Sequence, residues 1–258
     1  MSGADSLSPA SWALDEEPSD SSLLVHPWHP RTLWTWADAL GSTAYILPRL
    51  GRAKAPNLVM SRWSRHVLRA LRVKVDFTAP FPEGAESAQL WVSNHLSWLD
   101  APVLMAQRPM GTLAKTEVAG YPLLGIHARR AGLRFVNRED PVSRAAALLE
   151  IASHWRNGAP FLLFPEGTTT RGEKLAPLYE GGLRAAFRMG LSVLPLRIES
   201  PDAHYPWTGD ESLPPHIQML CRSKQTRVRV HPGSVMRASG DEETWLQALR
   251  THLAPPVD

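Results

Sequence analysis

The sequence predicts an α/β fold with a central mixed, largely parallel sheet flanked by helices. Short apolar or β-branched segments alternate along most of its 258 residues with longer segments of helical periodicity, which is the pattern of a sheet covered by helices. The composition, 43% hydrophobic and 21% charged, is typical of a globular protein and excludes a disordered or fibrous chain. The single cysteine, Cys221, excludes an internal disulfide and a multi-cysteine metal site, and it fits a reducing compartment.

Three segments are predicted along the chain. Residues 1–22 are rich in Ser, Pro and acidic residues without apolar periodicity, which indicates a disordered acidic tail. Residues 23–75 carry two helical patterns, the first between Thr32 and Pro48 and the second over residues 57–73. We expect these to form an N-terminal amphipathic two-helix element. Residues 76–258 then form the α/β domain, in which strands and helices alternate.

Charge is distributed unevenly over these segments. The acidic tail contributes −5 and residues 49–74 contribute +8 to a total of +3, so the rest of the chain is electrically neutral. In the second predicted helix an arginine stripe flanks an apolar face that contains Trp63; its members are Arg62, Arg65, Arg69 and Arg72. Such a helix either lies on an anionic membrane surface or packs on the core with its arginines in water. Five of the ten tryptophans precede residue 64, which favours the membrane interpretation.

The elements of the sheet and its covering helices follow in order. Short apolar runs near turn residues predict strands over residues 73–78, 89–93, 111–114, 133–136, 161–164, 193–198 and 227–231. Helical spacing between them predicts helices over residues 99–107, 122–130, 141–156, 180–189, 211–221 and 242–253. The longest stretch without Asp, Glu, Lys or Arg is thirteen residues, 87–99, so no transmembrane helix is expected. Ligand sites of such folds lie at the carboxyl ends of the strands.

The first motif that carries chemistry, residues 94–100, directly follows a predicted strand. Ser97 and Asp100 have the spacing of a capping box, so we expect a helix to begin at Trp98. His95 then lies in the preceding turn, where its ring can contact the Asp100 carboxylate. A histidine held by a carboxylate can act as a general base on a hydroxyl group. The alternative is that Asp100 only caps the helix and His95 is a polar turn residue.

The second motif, residues 164–172, also follows a strand. Glu166 lies in a loop of Gly, Thr and Arg, where its carboxylate can accept hydrogen bonds from a polyol hydroxyl. Backbone N–H groups and Arg171 of the same loop can face an anion. The alternative is a solvated loop with Glu166 as a surface acid.

Taken in order, these motifs resemble the glycerolipid acyltransferase family of the 1-acyl-sn-glycerol-3-phosphate type. Residues 94–100 are similar to the family's His-x4-Asp block, and residues 164–168 are similar to its Phe-Pro-Glu-Gly-Thr block. A Gly-x-x-Phe-hydrophobic-x-Arg block is matched by residues 132–138, and the family's proline between aliphatic residues is matched by Pro195. Four blocks in the right order make a strong signal.

The resemblance implies transfer of a fatty acyl group to a hydroxyl of a lysolipid. The donor would be an acyl thioester of acyl carrier protein or coenzyme A, with no metal and no other cofactor. His95 is the general base in this interpretation, and Asp100 orients it. The acceptor's glycerol and phosphate would be bound by Glu166, Gly167, Thr168, Arg138, Lys115 and Arg171. Since two N-terminal helices commonly hold the family on the membrane, we expect a peripheral enzyme on the cytoplasmic face of an anionic bilayer.

One departure from the family's pattern concerns the acceptor. Many members that acylate lysophosphatidate have Arg and Ser after the Phe-Pro-Glu-Gly-Thr block, whereas this sequence has Thr169 and Thr170, with Arg171 displaced by two positions. A phosphomonoester carries close to two negative charges, and Arg is its usual partner. The resemblance implies a lysophosphatidate-type acceptor. The departure weakens that case and makes a lysophospholipid diester or a lyso-ornithine lipid the alternative, unless Arg171 and Arg138 supply the charge that binds lysophosphatidate.

Two other function classes fit parts of the sequence. A non-catalytic lipid-binding relative would not need both His95 and Asp100, so the presence of the pair favours an enzyme. A nucleic-acid-binding module could use the cationic segment, but the sequence has no helix-turn-helix, zinc-finger or aromatic ribonucleoprotein pattern. We therefore expect no nucleic-acid partner.

Overall fold

The structure, a computed structural model, describes residues 56–115, 133–136, 140–156, 160–208 and 211–256, and before them residues 30, 32–35, 37–38 and 41. Residues 32–35, 37–38 and 41 are helical as predicted, and residue 30, before the predicted start at Thr32, is helical as well. The predicted acidic tail, the end of that first helix and the helix predicted over residues 122–130 lie outside the described residues.

The named elements alternate between strands and helices as predicted. The helices are α1 (Pro56–Ala70), α2 (Asp100–Met105), α3 (Pro141–Arg156), α4 (Gly181–Arg188), α5 (Leu213–Arg222) and α6 (Glu242–Leu253). The strands are β1 (Val73–Phe77), β2 (Leu90–Ser93), β3 (Gly111–Lys115), β4 (Leu133–Val136), β5 (Phe161–Leu163), β6 (Ser192–Glu199), β7 (Thr226–Pro232) and β8 (Met236–Arg237). Only the two-residue strand β8 was not predicted among them.

The strands form one mixed sheet in the order β1-β7-β6-β2-β5-β3-β4, with β8 paired to β6. Strand β2 runs parallel to both of its neighbours, β5 and β6, and the pairs β3–β5, β3–β4 and β1–β7 are also parallel. The pairs of β6 with β7 and with β8 are antiparallel. The predicted mixed, largely parallel sheet is therefore confirmed.

Helices cover both faces of this sheet. Helices α1, α2 and α5 bury apolar side chains in one cluster, and helices α3, α4 and α6 bury theirs in a second cluster on the other side. Strand β2 shows the alternation expected of a strand between two layers, because Trp91 belongs to the first cluster while Leu90 and Val92 belong to the second. A central strand buried on both faces holds the turn that follows it in a fixed position.

Helix α1 packs on α2 and β1, and its basic stripe is only partly exposed. Arg62 and Arg69 are exposed, but Arg65 donates to the backbone oxygen of Ala106 at 2.8 Å and Arg72 donates to Thr35 at 2.6 Å. Half of the predicted stripe thus makes contacts within the protein.

The end of α1 also differs from the prediction. The helix ends at Ala70 instead of residue 73, because Arg72 adopts a left-handed backbone conformation (φ 55°) that turns the chain into β1. Among the described residues no helix is both long enough and apolar enough to cross a bilayer.

Candidate active site

The candidate site lies at the carboxyl edge of the sheet. His95 follows β2, and Glu166 follows the parallel neighbour β5. The loop after β6, the other parallel neighbour of β2, carries Tyr205. Because the carboxyl ends of parallel strands meet at the same edge, three loops that are distant in sequence converge on His95.

Asn94 fixes the start of the turn after β2. Its side-chain Oδ1 accepts the backbone N–H of Ile198 at 2.6 Å, and its Nδ2 donates to the backbone oxygen of Ile198 at 2.8 Å. The amide thereby continues the pairing between β2 and β6 by one residue beyond Ser93. The backbone that leads into His95 is thus tied to the central sheet.

His95 and Asp100 form the contact that the sequence predicts. His95 Nδ1 lies 2.8 Å from Oδ2 of Asp100, and the carboxylate is completely buried. An ionised carboxylate only accepts hydrogen bonds, so Nδ1 of the neutral ring carries the proton and Nε2 keeps a lone pair. The ring retains 14% of its exposed surface, which leaves a path to solvent or substrate.

The predicted start of the helix after His95 is wrong by two residues. Helix α2 begins at Asp100 instead of Trp98, with Leu99 as the N-cap and no side-chain cap bond. Oδ2 of Asp100 turns back and accepts the backbone N–H groups of Leu96 at 2.6 Å and Ser97 at 2.9 Å. The carboxylate therefore organises the turn that holds His95, and only one half of the predicted capping box forms.

Glu166 binds the same turn from the opposite loop. Its Oε1 accepts the backbone N–H of His95 at 2.8 Å, and its Oε2 accepts the backbone N–H of Ala176 at 2.9 Å. Burial raises the pKa of Glu166, while these two backbone bonds act in the opposite direction. Each carboxylate oxygen keeps a second lone pair that could accept a hydrogen bond from the acceptor, and this binding stays a prediction. The structure adds that Glu166 joins the two loops.

Further contacts from the loop after β5 position the His95 ring. Phe164 stacks on it, with centroids 4.1 Å apart and an interplanar angle of 16°. Thr170 donates its backbone N–H to the backbone oxygen of His95 at 2.9 Å. Gly172 adopts φ +82°, a left-handed conformation that favours glycine, and a Cβ at this position would lie 2.9 Å from Leu96 Cδ2.

The other predicted acceptor residues are placed as follows. Gly167 is buried with φ 67°, and Thr168 and Arg171 are exposed on the same loop. Lys115 is the last residue of β3, at the same edge of the sheet as His95. Arg138 lies outside the described residues. The structure thus brings the loop residues to the site, and their role in binding stays a prediction.

Sequence reasoning missed Tyr205. Its hydroxyl donates to Oδ1 of Asp100 at 2.5 Å, and the side chain is fully buried. The two residues are 105 positions apart, and no motif marks the tyrosine. Trp98 was also missed as a contact residue; its indole Nε1–H donates to Nδ1 of the buried His216 at 3.0 Å.

This geometry provides one reactive nitrogen. A fully buried, hydrogen-bonded carboxylate holds His95 Nδ1, and a stacked phenyl ring and two backbone hydrogen bonds hold the rest of the residue. Nε2 is then a positioned base for a hydroxyl group, in the arrangement used for general-base catalysis.

A comparison with known protein families matches the part of the chain that contains His95, Asp100 and Glu166. A family model described as Acyltransferase matches residues 72–199, from the residue before β1 to the end of β6. Over these residues, just under half of the chain, the sequence is similar to this acyltransferase family. The predicted resemblance to acyltransferases is confirmed by this match.

Two named relatives differ in their acceptors. Over 173 residues the chain is 35% identical to a lyso-ornithine lipid O-acyltransferase of Pseudomonas aeruginosa, with 65% of this chain and 66% of the relative covered. Over 205 residues it is 27% identical to a 1-acyl-sn-glycerol-3-phosphate acyltransferase of Neisseria meningitidis, with 76% and 78% covered. The aligned region thus spans just under two thirds of the Pseudomonas relative.

The fold matches a solved structure. The crystal structure of the 1-acyl-sn-glycerophosphate acyltransferase PlsC from Thermotoga maritima aligns with a TM-score of 0.62, covering 86% of this chain and 93% of that chain. At 18% sequence identity the match concerns the fold alone. It agrees with a mixed sheet flanked by helices.

Proposed function

We propose that this acyltransferase moves a fatty acyl group from an acyl thioester to a hydroxyl group of a lysolipid. The observation that carries the proposal is the 2.8 Å contact between His95 Nδ1 and the buried Asp100, at the carboxyl edge of the sheet and within the matched family region. Relatives named as lysophosphatidate-type and lyso-ornithine lipid acyltransferases support a lysolipid as the acceptor.

The reaction needs one proton relay and no covalent enzyme intermediate. His95 Nε2 takes the proton of the acceptor hydroxyl as its oxygen attacks the thioester carbonyl. The tetrahedral intermediate collapses, the carbon–sulfur bond breaks, and the imidazolium returns the proton to the leaving thiolate. Asp100 stabilises the imidazolium that forms between the two steps. An acyl thioester is already an activated donor, so we propose that no metal or redox cofactor is required and that chelators leave the activity unchanged.

The acceptor is proposed to lie against the loop after β5. Thr168 and Arg171 are exposed on this loop, which Glu166 holds close to His95 by accepting its backbone N–H. Of the two further predicted binding residues, Lys115 is the last residue of β3, and Arg138 lies outside the described residues.

The identity of the acceptor headgroup depends on Thr169. An Arg stands at this position in many lysophosphatidate-acylating members, and a bidentate guanidinium suits a phosphomonoester better than a hydroxyl does. We infer that a less anionic acceptor, of the lyso-ornithine type, is preferred over lysophosphatidate. The identity of 35% with the Pseudomonas aeruginosa enzyme supports this preference.

A substitution tests this inference directly. Thr169→Arg should raise kcat/KM for lysophosphatidate relative to lyso-ornithine lipid by about tenfold, the worth of one charge-assisted hydrogen bond. Glu173→Gln is the matched control, because it also raises the net charge of the same loop by one but adds no guanidinium. A strict preference of the wild-type protein for lysophosphatidate would refute the inference.

Attachment to the membrane is proposed to involve the N-terminal helical residues and α1. Trp34 is 75% exposed and Leu33 is 47% exposed, and Leu58, Arg62 and Arg69 of α1 also face solvent. Apolar side chains beside arginines suit the surface of an anionic bilayer. We place the enzyme peripherally, on the cytoplasmic face, where acyl carrier protein and coenzyme A thioesters are available.

Sedimentation with vesicles tests the attachment. Binding to phosphatidylglycerol-containing vesicles should fall as salt rises, because salt screens the arginines. The double substitution Arg62→Gln/Arg69→Gln should weaken binding several-fold, while Arg156→Gln/Arg237→Gln, with exposed arginines outside α1, should not. Equal effects of the two double substitutions would contradict the proposed surface.

The enzymatic proposal itself is tested by a panel of acceptors. Purified protein is incubated with radiolabelled acyl carrier protein or coenzyme A thioesters and with lysophosphatidate, lyso-ornithine lipid and lysophospholipid diesters. Formation of a diacyl product from at least one acceptor supports the proposal. Binding of lysolipids without any transfer would instead identify a non-catalytic lipid-binding relative.

A further inference from the structure

Asp100 receives hydrogen bonds on both of its carboxylate oxygens. Among the described residues, three donors reach Oδ2: the His95 ring and the backbone N–H groups of Leu96 and Ser97. The Tyr205 hydroxyl reaches Oδ1, at 2.5 Å. Local sequence accounts for the first three donors, because they lie within five residues of Asp100. The fourth comes from a different part of the fold.

The loop that carries Tyr205 is anchored on both sides of the tyrosine. The Tyr205 N–H donates to the backbone oxygen of Asp202 at 2.9 Å. The Asp202 carboxylate in turn accepts from the Arg227 backbone N–H at 2.6 Å and from its guanidinium at 2.8 Å. Beyond the tyrosine, Trp207 donates its backbone N–H to Leu96 at 2.8 Å. The loop is thus pinned to β7 on one side and to the His95 turn on the other.

We propose that Tyr205 is a positioning residue for the His95–Asp100 pair. Its hydroxyl fixes the plane of the Asp100 carboxylate and offsets part of its negative charge. The carboxylate then presents Oδ2 to His95 in one orientation. The proton stays on the tyrosine throughout, so Tyr205 neither exchanges protons with the substrate nor touches it. This inference rests on the proposed function, since the pair it positions is the proposed general base.

The surroundings keep the hydroxyl in its donor form. Burial and the negative charge of Asp100 raise the pKa of Tyr205 well above its usual range. Glu166, from the loop after β5, interacts electrostatically with both His95 and Asp100, and His216 of α5 accepts the indole N–H of Trp98, in the turn between the two. Tyr205 itself donates directly to the Asp100 carboxylate.

Tyr205→Phe removes the donor and keeps the ring in the core. We expect kcat to fall about 10- to 100-fold, because the Asp100 carboxylate loses the contact that fixes its orientation towards His95. The KM for the lysolipid should change less than twofold, because Tyr205 does not contact the acceptor. The acid limb of the kcat/KM profile should move to higher pH, since a carboxylate whose charge is less offset favours the imidazolium form more strongly.

Thr112→Val is the matched control for a merely structural role. Its hydroxyl is also buried and donates to a backbone oxygen, that of Leu162 at 3.0 Å, outside the site. Both variants should lose some stability in urea unfolding, but only Tyr205→Phe should change kcat per folded molecule and the pH profile.

2,3-Difluorotyrosine at position 205, a stronger donor with nearly the same volume, should move the acid limb to lower pH.

The experiment separates this inference from the proposed function. A 15N-NMR titration of the His95 ring needs no substrate, and in Tyr205→Phe its midpoint should shift to higher pH whichever lysolipid the enzyme uses. A wild-type protein that transfers no acyl group would refute the proposed function alone. Unchanged kcat, pH profile and NMR titration in Tyr205→Phe and in the fluorotyrosine variant would overturn the positioning role.

Discussion

Replacing Asp100 by Asn removes the negative charge beside the His95 ring and preserves the shape of the side chain. The amide oxygen can take the place of Oδ2, which accepts from His95 and from two backbone N–H groups. The amide nitrogen can then take the place of Oδ1 and donate to Tyr205, whose hydroxyl rotates to accept. Asp100→Asn should therefore fold with His95 in its original position.

The size of the effect follows from the charge that is lost. In the wild-type protein the imidazolium formed in the reaction lies against the carboxylate, with Nδ1 and Oδ2 2.8 Å apart. Taking the charge centres as about 4 Å apart and an effective dielectric constant of about 20, their attraction is about 4 kcal/mol. Asp100→Asn should thus lower kcat by about 10³-fold, with little change in the KM for either substrate.

The assay is steady-state acyl transfer, corrected for the folded fraction measured by circular dichroism. Asp241→Asn is the matched control, because Asp241 also accepts a backbone N–H at the start of a helix, α6, but lies outside the site. This control should keep wild-type kcat, since Asn caps helices about as well as Asp. A folded Asp100→Asn protein with kcat within tenfold of wild type would refute the reasoning.

The remaining predictions concern stability. Gly172→Ala should cost about 1–2 kcal/mol or more and lower kcat, since it adds a clash with a leucine of the His95 turn to the strain at φ +82°. Gly190 has φ +68° and open space around the position of a Cβ, so Gly190→Ala should lose only the stability that the backbone strain costs and should keep kcat. His231 and Arg197 lower the pKa of Glu199 to about 2, so its charge stabilises the fold above pH 4.5 and progressively less as pH falls towards 2. Because the side chain is 32% exposed, Glu199→Gln should cost only about 1–2 kcal/mol in urea unfolding at pH 7 and less at pH 3; an equal cost at both would contradict this.

Most of the sheet was predictable because its strands are short apolar runs bounded by turn residues. The seven predicted strands are present, and α3 and α6 have the predicted bounds. Strand β8 was missed because two residues carry no periodicity. The early end of α1 was missed because a left-handed Arg72 leaves no signature in the sequence.

In the candidate site, contacts within a local motif could be predicted from the sequence, and contacts between distant segments could not. The His95–Asp100 contact spans five residues and follows from the local motif, so the sequence predicted it. Contacts that depend on the order of the strands could not be predicted from the sequence. Glu166, for example, contacts the His95 turn only because β2 pairs with β5. Tyr205 reaches Asp100 across 105 residues, from a loop without a recognisable motif. What sequence reasoning lacked was the adjacency of the three loops.

Acyl transfer by His95→Ala, compared with wild type on the preferred lysolipid, tests the central claim most directly. The wild-type protein should form the diacyl product, and the folded variant should lose at least about 10²-fold in kcat, the usual contribution of a positioned general base. Loss of lysolipid binding should not accompany this, because the base acts on the hydroxyl proton. A folded His95→Ala protein that transfers acyl groups at the wild-type rate would contradict the account.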